Sequence, residues 1–488
     1  MAQRHQEAQI GRTPHLPRTR AGRVLAGVLA LMVISGIGVG AALVAPAALD
    51  GFGWLGRSGP APIPTTPPPA PITPTLRLRP IGGDAPLPTT GGLAAALSGP
   101  VASPVLGQLS GQVFDPAAGV ALWSRDEGRQ LVPGSTAKLV TACAALLALD
   151  HDSRLETQVV AGDATGTVVL VGGGDPTLSA LPAGQESVYP GAPRLDDLVT
   201  QVRAVTPGGV RQVLVDVDRY AGDALGPGWL PVDVPGGFVA PIVPVMLDGG
   251  RAVPTEENAP RTSTPALAAA AELARRLGAD PATVAAGKAP PNAKVLGVVR
   301  SAPVRELVGT ALSRSDNVLA EALARQVAIA TGAEPSFAGA IGAVHRVLSE
   351  NGIDIGGLHT VDGSGLSNQN RVSAAGLAAL LAAAATPGAA DDRSSRLRPL
   401  VSALPVAGGS GTLVERYLAG PTAAGRGYVR AKTGTLEGVN SLAGIVVDTD
   451  GRLLVFAFLS NGPSPSSEVR PALDAIAAAL RSCGCGGR

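Results

Sequence analysis

Aromatic side chains make up only 3% of the 488 residues, so a core must be assembled mainly from Ala, Val and Leu, which the 45% hydrophobic fraction can supply. Histidine is rarer still: of five, His5 and His15 sit in the N-terminal segment, and His151, His345 and His359 stand alone. There is no His-x-x-x-His pair, no Gly-x-Ser-x-Gly elbow and no Gly-x-x-x-x-Gly-Lys-Ser/Thr loop. Zinc hydrolysis, an α/β-hydrolase triad and nucleotide chemistry are therefore disfavoured, and the histidines read as surface or structural residues. Charge of one sign is also lacking. With 39 basic and 38 acidic residues the formal net charge is +1, which leaves no electrostatic footprint for nucleic acid.

Cysteine is nearly absent, with three residues. Cys143 lies in an apolar helical run and reads as a small core residue. Cys483 and Cys485 sit in a Gly-rich tail, residues 483–488. A disulfide between them would close a tight loop, and zinc would need about two more ligands than the tail offers. The expectation is an unstructured tail without metal.

What is present begins at the N-terminus. Arg4, Arg12, Arg18, Arg20 and Arg23 precede an uncharged run of 26 residues, Val24 to Leu49. A helix needs ~20 apolar residues to cross a bilayer. The basic flank should stay in the cytoplasm, placing everything after Asp50 outside. The run is a retained signal anchor or a signal peptide cut near Ala45-Pro46-Ala47-Ala48, and its length favours the anchor. Up to about Thr90 the chain is Pro-rich, an extended spacer that cannot pack a core.

Beyond it, Leu109–Phe114 and Val120–Ser124 read as strands around a turn, and Ser135–Leu149 as a helix. Residues 155–290 carry short β-like runs between Gly- and Pro-rich turns. Helical periodicity returns at Thr264–Leu277, Asn317–Thr331 and Ser373–Ala385. Three strands then follow, Tyr428–Thr433, Ser441–Val447 and Arg452–Phe458, before a final helix over Ser467–Leu480. This order predicts one sheet completed by distant segments, with an insertion between them.

Three short motifs carry the chemistry. Pro133-Gly134-Ser135-Thr136-Ala137-Lys138 opens a helical run, which puts Ser135 and Lys138 on one face. A neutral Lys138 amine could take the Ser135 proton, and the Ser135 N–H could stabilise an oxyanion. Ser315-Asp316-Asn317 opens another helix. Ser315 can relay a proton and Asn317 can bond a peptide amide, although alone the motif is a common helix cap. Lys432-Thr433-Gly434-Thr435 ends a strand. Alternation sends Lys432 to one side, beneath the cleft, and Thr433 and Thr435 to the other, where they can hold a carboxylate. Gly434 keeps the strand edge unobstructed, and the Thr435 N–H is the natural second oxyanion donor.

Together, Ser-x-x-Lys, Ser-x-Asn and Lys-Thr-Gly resemble the motif set of penicillin-binding proteins and serine β-lactamases. Val171-Gly-Gly-Gly-Asp-Pro-Thr-Leu178, Asp362-Gly-Ser-Gly-Leu-Ser367 and Leu404-Pro-Val-Ala-Gly-Gly-Ser-Gly-Thr-Leu413 narrow the likeness. It is to the D-Ala-D-Ala carboxypeptidase/endopeptidase family of penicillin-binding protein 4, over about residues 91–480. That family carries a large insertion between its first two motifs, and here 180 residues separate Ser135 from Ser315. The bland reading of these three segments is structural, with Asp175 and Asp362 bracing turns; the functional alternative places Asp362 to Ser367 at the border of the cleft.

The resemblance implies an α/β (α+β) transpeptidase-like domain, an antiparallel sheet flanked by helices, interrupted by an accessory domain. The expected organisation is a basic cytoplasmic segment (1–23), a membrane segment (24–49), a linker (50–90), a catalytic domain (91–160 and 290–482), an insertion (161–289) and the tail. The implied activity is serine D-alanyl-D-alanine carboxypeptidase action on peptidoglycan stem peptides, with D,D-endopeptidase action on cross-links as a further capacity. β-Lactams would be covalent inhibitors, and no cofactor or metal is required. The rivals are a β-lactamase or esterase-like hydrolase of the same fold and a catalytically silent wall-binding scaffold. The intact Ser135, Lys138, Ser315, Asn317 and Lys432 argue against the scaffold. No deacylation base stands out beyond Lys138.

Overall fold

The computed structural model describes residues 85–485, apart from 355 and 387–390. The proposed membrane segment and most of the Pro-rich spacer lie outside the described residues. Among the described residues no helix is long and apolar enough to cross a membrane.

The chain enters through helix α1 (Thr90–Val101), capped by the Thr89 hydroxyl on the Gly92 N–H. Strands β1 (Gln108–Asp115) and β2 (Val120–Arg125) form a hairpin. A 3₁₀ turn, Gly134–Ala137, then leads into α2 (Lys138–Ala148). From Leu139 to Leu147 every residue of α2 is buried, as expected for a helix apolar all round. Its Ala and Cys residues let it serve as the hub of a helical body. That body is built from α5 (Val304–Ser313), α6 (Asn317–Ala330), α7 (Phe337–Glu350), α8 (Ala374–Ala385) and α9 (Asp392–Ala403).

A short antiparallel pair, β8 (Leu358–His359) and β9 (Arg371–Val372), precedes the last strands, β10 (Val429–Leu436), β11 (Val439–Val447) and β12 (Leu453–Asn461), which are followed by α10 (Ser466–Ser482). These last three join the first hairpin in one five-stranded sheet, ordered β10-β11-β12-β1-β2 and antiparallel throughout. Leu453 to Leu459 is a continuous apolar run because β12 is central and covered on both faces. One face packs on α1 and α10, the other on the helical body. The sheet thus pairs residues more than 300 positions apart, as the segment order predicted.

The chain between α2 and α5 builds a second, mixed sheet. Its strands are β3 (Arg154–Ala161), β4 (Thr167–Gly172), β5 (Gln212–Asp216), β6 (Ala285–Ala286) and β7 (Val295–Pro303), covered by α3 (Leu195–Val205) and α4 (Pro265–Leu277). This sheet begins and ends several residues outside the 161–289 expected for the insertion. Residues 217–264 form a long connection with only short 3₁₀ turns. A small core of Trp229, Val239, Ile242 and Met246 seats it against Val318 and Phe337 of the helical body.

Two local expectations are corrected. The Ser135 segment is a 3₁₀ turn rather than the first α-helical turn. The Cys tail is not unstructured through Cys485. Cys483 and Cys485 form a disulfide, Cys483 is buried, and the Cys485 carbonyl accepts the Thr89 N–H at 2.9 Å. Packing against the start of α1 orders this end, which local composition does not reveal.

The β1–β2 and β11–β12 turns are tied by a buried ion pair. Asp115 accepts Arg452 Nε at 2.5 Å and Nη2 at 2.9 Å, and also caps the Ala117 and Ala118 N–H groups. Asp115→Ala removes both of these Arg452 bonds and the two turn caps, so it should lower unfolding free energy by about 3–5 kcal/mol in a denaturant titration.

Candidate active site

The three motifs converge at one end of β10. In the 3₁₀ turn, residues three apart lie directly in line, which stacks Lys138 under Ser135 more closely than an α-turn would. Lys138 Nζ donates to Ser135 Oγ at 2.9 Å, to Asn317 Oδ1 at 2.5 Å and to the Ser364 carbonyl at 2.6 Å. Ser135 is half-buried at the mouth and Lys138 is buried beneath it.

Ser315 adopts φ +58°, a conformation rarely taken by a side chain-bearing residue. It is pinned by its neighbour. Asp316 caps α6 through the Leu319 N–H at 2.9 Å, and its other oxygen accepts Tyr189 OH at 2.8 Å and Arg251 Nη2 at 2.6 Å. Tyr189, Arg251 and the nearby Arg261 all come from the chain between α2 and α5, so the insertion anchors the second motif. The Ser315 hydroxyl accepts Lys432 Nζ at 2.8 Å, and Lys432 also reaches the Thr433 carbonyl at 2.8 Å. Asn317 Nδ2 donates to the Phe238 carbonyl at 2.9 Å, so one of its N–H groups holds the long 217–264 connection over the site.

The third motif lies on an edge strand. The Ala431 N–H bonds the Pro405 carbonyl and the Ala407 N–H bonds the Val429 carbonyl, which covers the outer edge only as far as Ala431. Alternation turns the Thr433 and Thr435 N–H groups to that same outer side, where the edge faces the cleft. Gly134 and Gly434 bring the two chains together. A Cβ on Gly134 would lie 2.9 Å from the Thr435 nitrogen, and one on Gly434 would lie 3.0 Å from the Ser135 nitrogen and 2.3 Å from the Pro133 carbonyl. The two amides expected to form the oxyanion site are thus neighbours. Thr433 Oγ1 pairs with Thr412 Oγ1 at 2.9 Å.

Electrostatics follow from burial. Desolvation lowers the Lys138 amine to about 8, against the opposing pull of Asp362, Asp316 and Glu321. Lys432 falls well below the ordinary lysine value, through burial and then through Lys138. Burial alone would raise Asp316, but Arg251 and Arg261 hold it well below the usual carboxylate range.

Ser135, Ser315, Asn317 and Thr435 border a cavity of about 910 Å³, together with Thr412, Gly228, Leu230 and Phe238. Lys138 and Lys432 are bonded to these from beneath, and Thr433 and Gly434 adjoin them on β10. Ser364 lies in the Asp362–Ser367 segment expected at the border of the cleft but was not itself named, and Thr412 was missed as a site residue. Both sit in Gly-rich segments noted in the sequence. Asp362 is buried and accepts the Trp229 indole N–H at 2.8 Å and the Ser367 N–H at 2.7 Å, a bracing role as expected. His151 bonds the Leu146 carbonyl and His345 the Thr360 hydroxyl, both at 2.9 Å and away from the cleft.

Residues 93–262 and 256–480 match the D-Ala-D-Ala carboxypeptidase 3 (S13) family. A carboxypeptidase of Mycobacterium tuberculosis is 47% identical over 424 residues, covering 86% of this chain and 90% of its own. Carboxypeptidase DacB of Mycolicibacterium smegmatis is 45% identical over 474 residues, 96% of this chain and 98% of its own. The crystal structure of penicillin binding protein 4 from Haemophilus influenzae shares the fold, with a TM-score of 0.63 at 21% identity over 81% of this chain and 98% of that one.

The Gly434 contacts leave no room for a methyl group, because the obstacles are the Pro133 carbonyl and the Ser441 hydroxyl beneath the nucleophile turn. Gly434→Ala should displace Ser135 and slow its labelling by a fluorescent penicillin by roughly a hundredfold. A stopped-flow comparison with the parent checks this.

Proposed function

The chain belongs to the D-Ala-D-Ala carboxypeptidase 3 (S13) family and is a serine-type D-Ala-D-Ala carboxypeptidase, and we propose that it works through an acyl-enzyme on Ser135. The observation that carries this is the surroundings of Lys138 Nζ. A neutral amine has two N–H groups and one lone pair. With Asn317 Oδ1 and the Ser364 carbonyl accepting the two N–H groups, the lone pair faces the Ser135 hydroxyl at 2.9 Å.

Ser135 Oγ attacks the carbonyl of the terminal D-alanyl-D-alanine bond as Lys138 takes its proton. The oxyanion rests between the Ser135 and Thr435 N–H groups, which are fixed before substrate arrives. The C–N bond breaks as the proton taken up by Lys138 passes through the Ser315 hydroxyl, itself held by Lys432, to the departing amine, which leaves Lys138 neutral again. Thr433 and Thr435 hold the terminal carboxylate, with Lys432 supplying positive charge from beneath. Water then attacks the acyl-enzyme, returning Ser135 and releasing the shortened stem peptide. A β-lactam presents a similar carbonyl to the same serine. A cross-linked peptide offers the same kind of bond, and the 910 Å³ cleft, open along the β10 edge, supports endopeptidase action as a second capacity.

The same substrate argues for an extracytoplasmic site of action, with Val24–Leu49 as anchor and the Pro-rich stretch as spacer. The flanking arginines and the length of the uncharged run support this. Protease treatment of intact cells, with a tag after Arg488, tests it: a protected tag overturns it.

Ser135→Ala should abolish both labelling by a fluorescent penicillin and D-alanine release from a pentapeptide, while circular dichroism stays unchanged. Label that decays quickly in the parent without D-alanine release would instead indicate a β-lactamase.

Acylation needs neutral Lys138, and neutral amine accumulates as pH rises. The acylation rate should therefore climb about tenfold per pH unit in the acid range and level off above about 8. A flat profile between pH 6 and 9 would remove Lys138 as the base.

A further inference from the structure

Helix α6 begins at the reaction centre with Asn317 and places Glu321 one turn further along the same face. Glu321 is buried at 2% exposure. An enclosed carboxylate is costly unless its oxygens are bonded. Both of its oxygens are spent on one loop. Oε2 accepts the Gly363 N–H at 3.0 Å and Oε1 the Ser364 N–H at 2.8 Å. The same loop is tied to α2, because the Gly363 carbonyl accepts Thr141 Oγ1 at 2.7 Å. It also presses against the nucleophile turn: a Cβ on Gly365 would come within 2.1 Å of the Gly134 carbonyl. The Ser364 carbonyl, held between these contacts, is one of the two acceptors that orient Lys138.

We propose that Glu321 is a positioning residue for the acyl transfer: by gripping the Gly363 and Ser364 amides it holds the Ser364 carbonyl against Lys138, so that the amine's lone pair points at Ser135. This rests on the Ser135 reading and deepens it. Glu321 touches no reacting atom. It acts through a peptide unit, and Asn317 on the same helix supplies the other acceptor, so one rigid element sets both.

Its charge acts as well. The groups that face the Lys138 amine are Asp316 and Glu321 from α6, Asp362 from the loop and Lys432 from β10. The three carboxylates favour the ammonium, and burial opposes it. Glu321 itself is pushed up to about 7, by burial first and then by Asp362, so its charge is felt mainly above neutral pH.

The test uses the full-length protein and two variants, Glu321→Gln and Glu321→Asp. Acylation by a fluorescent penicillin is followed from pH 6 to 10 beside thermal unfolding and D-alanine release. In Glu321→Gln one amide loses its acceptor and one negative charge disappears. The plateau rate should fall roughly ten- to a hundredfold, and the bend near pH 8, where Glu321 is charged in the parent, should move to lower pH. In Glu321→Asp the charge stays but the grip shortens, so the plateau should fall while the bend stays in place. Parent-like plateau and bend in both variants, whatever their melting temperatures, would reduce Glu321 to a structural residue. If Glu321→Gln is too unstable to assay, the Glu321→Asp plateau alone decides. A parent that fails to label overturns the Ser135 reading itself, an outcome distinct from any result with the variants.

Discussion

Much of this architecture depends on keeping one amine dry and fully bonded. Lys138 lies under Ser135 with three acceptors drawn from its own helix start, from α6 and from the 362–367 loop. A buried ammonium is expensive, and the cost falls as the proton leaves. The fold therefore supplies what the proposed general base needs, a lysine whose amine, lowered to about 8, gives up its proton far more readily than an exposed one. Its N–H groups already have partners in the Asn317 side chain and the Ser364 carbonyl.

Holding those acceptors in register requires the rest of the molecule. Asn317 is fixed because Asp316 caps its helix, and Asp316 is fixed because Arg251 and Tyr189 enclose it. Those two come from the long excursion between α2 and α5. A buried ion pair of this kind is weak evidence for stability but strong evidence for geometry, since losing either partner leaves a stranded charge. The excursion also contributes Trp229 to the Asp362 loop and the Phe238 carbonyl to Asn317. The insertion is thus part of the catalytic scaffold as well as a wall of the cleft.

The scarcity of aromatic residues fits the same design. Small side chains on α2 let five helices approach it, and glycines at 134, 365 and 434 let backbone approach backbone where a Cβ would intrude. The proposed oxyanion site is two peptide N–H groups brought together by such contacts. The β10 edge is covered only as far as Ala431, which leaves the stretch beside Ser135 free for an extended peptide.

The sequence by itself determined most of the elements and nominated the residues that meet at the cleft. The spacing of Ser135 and Lys138, the alternation of Lys432 with Thr433 and Thr435, and the helix starting at Asn317 all follow from backbone periodicities a few residues long. Short-range geometry is legible without a fold. The segment order further implied a sheet closed by distant strands. Only the tertiary structure decided that Ser315 pairs with Lys432, that Asp316 serves as the anchor between two arginines, and that Ser364 and Thr412 belong to the site. It alone ordered Cys483 and Cys485 against α1 and turned the Ser135 segment into a 3₁₀ helix. The physical reason is common to all of these. Each depends on which remote segments share a small volume shielded from water. Burial there determines both the partner of a polar group and the charge it carries, and nothing in a short window of sequence encodes that.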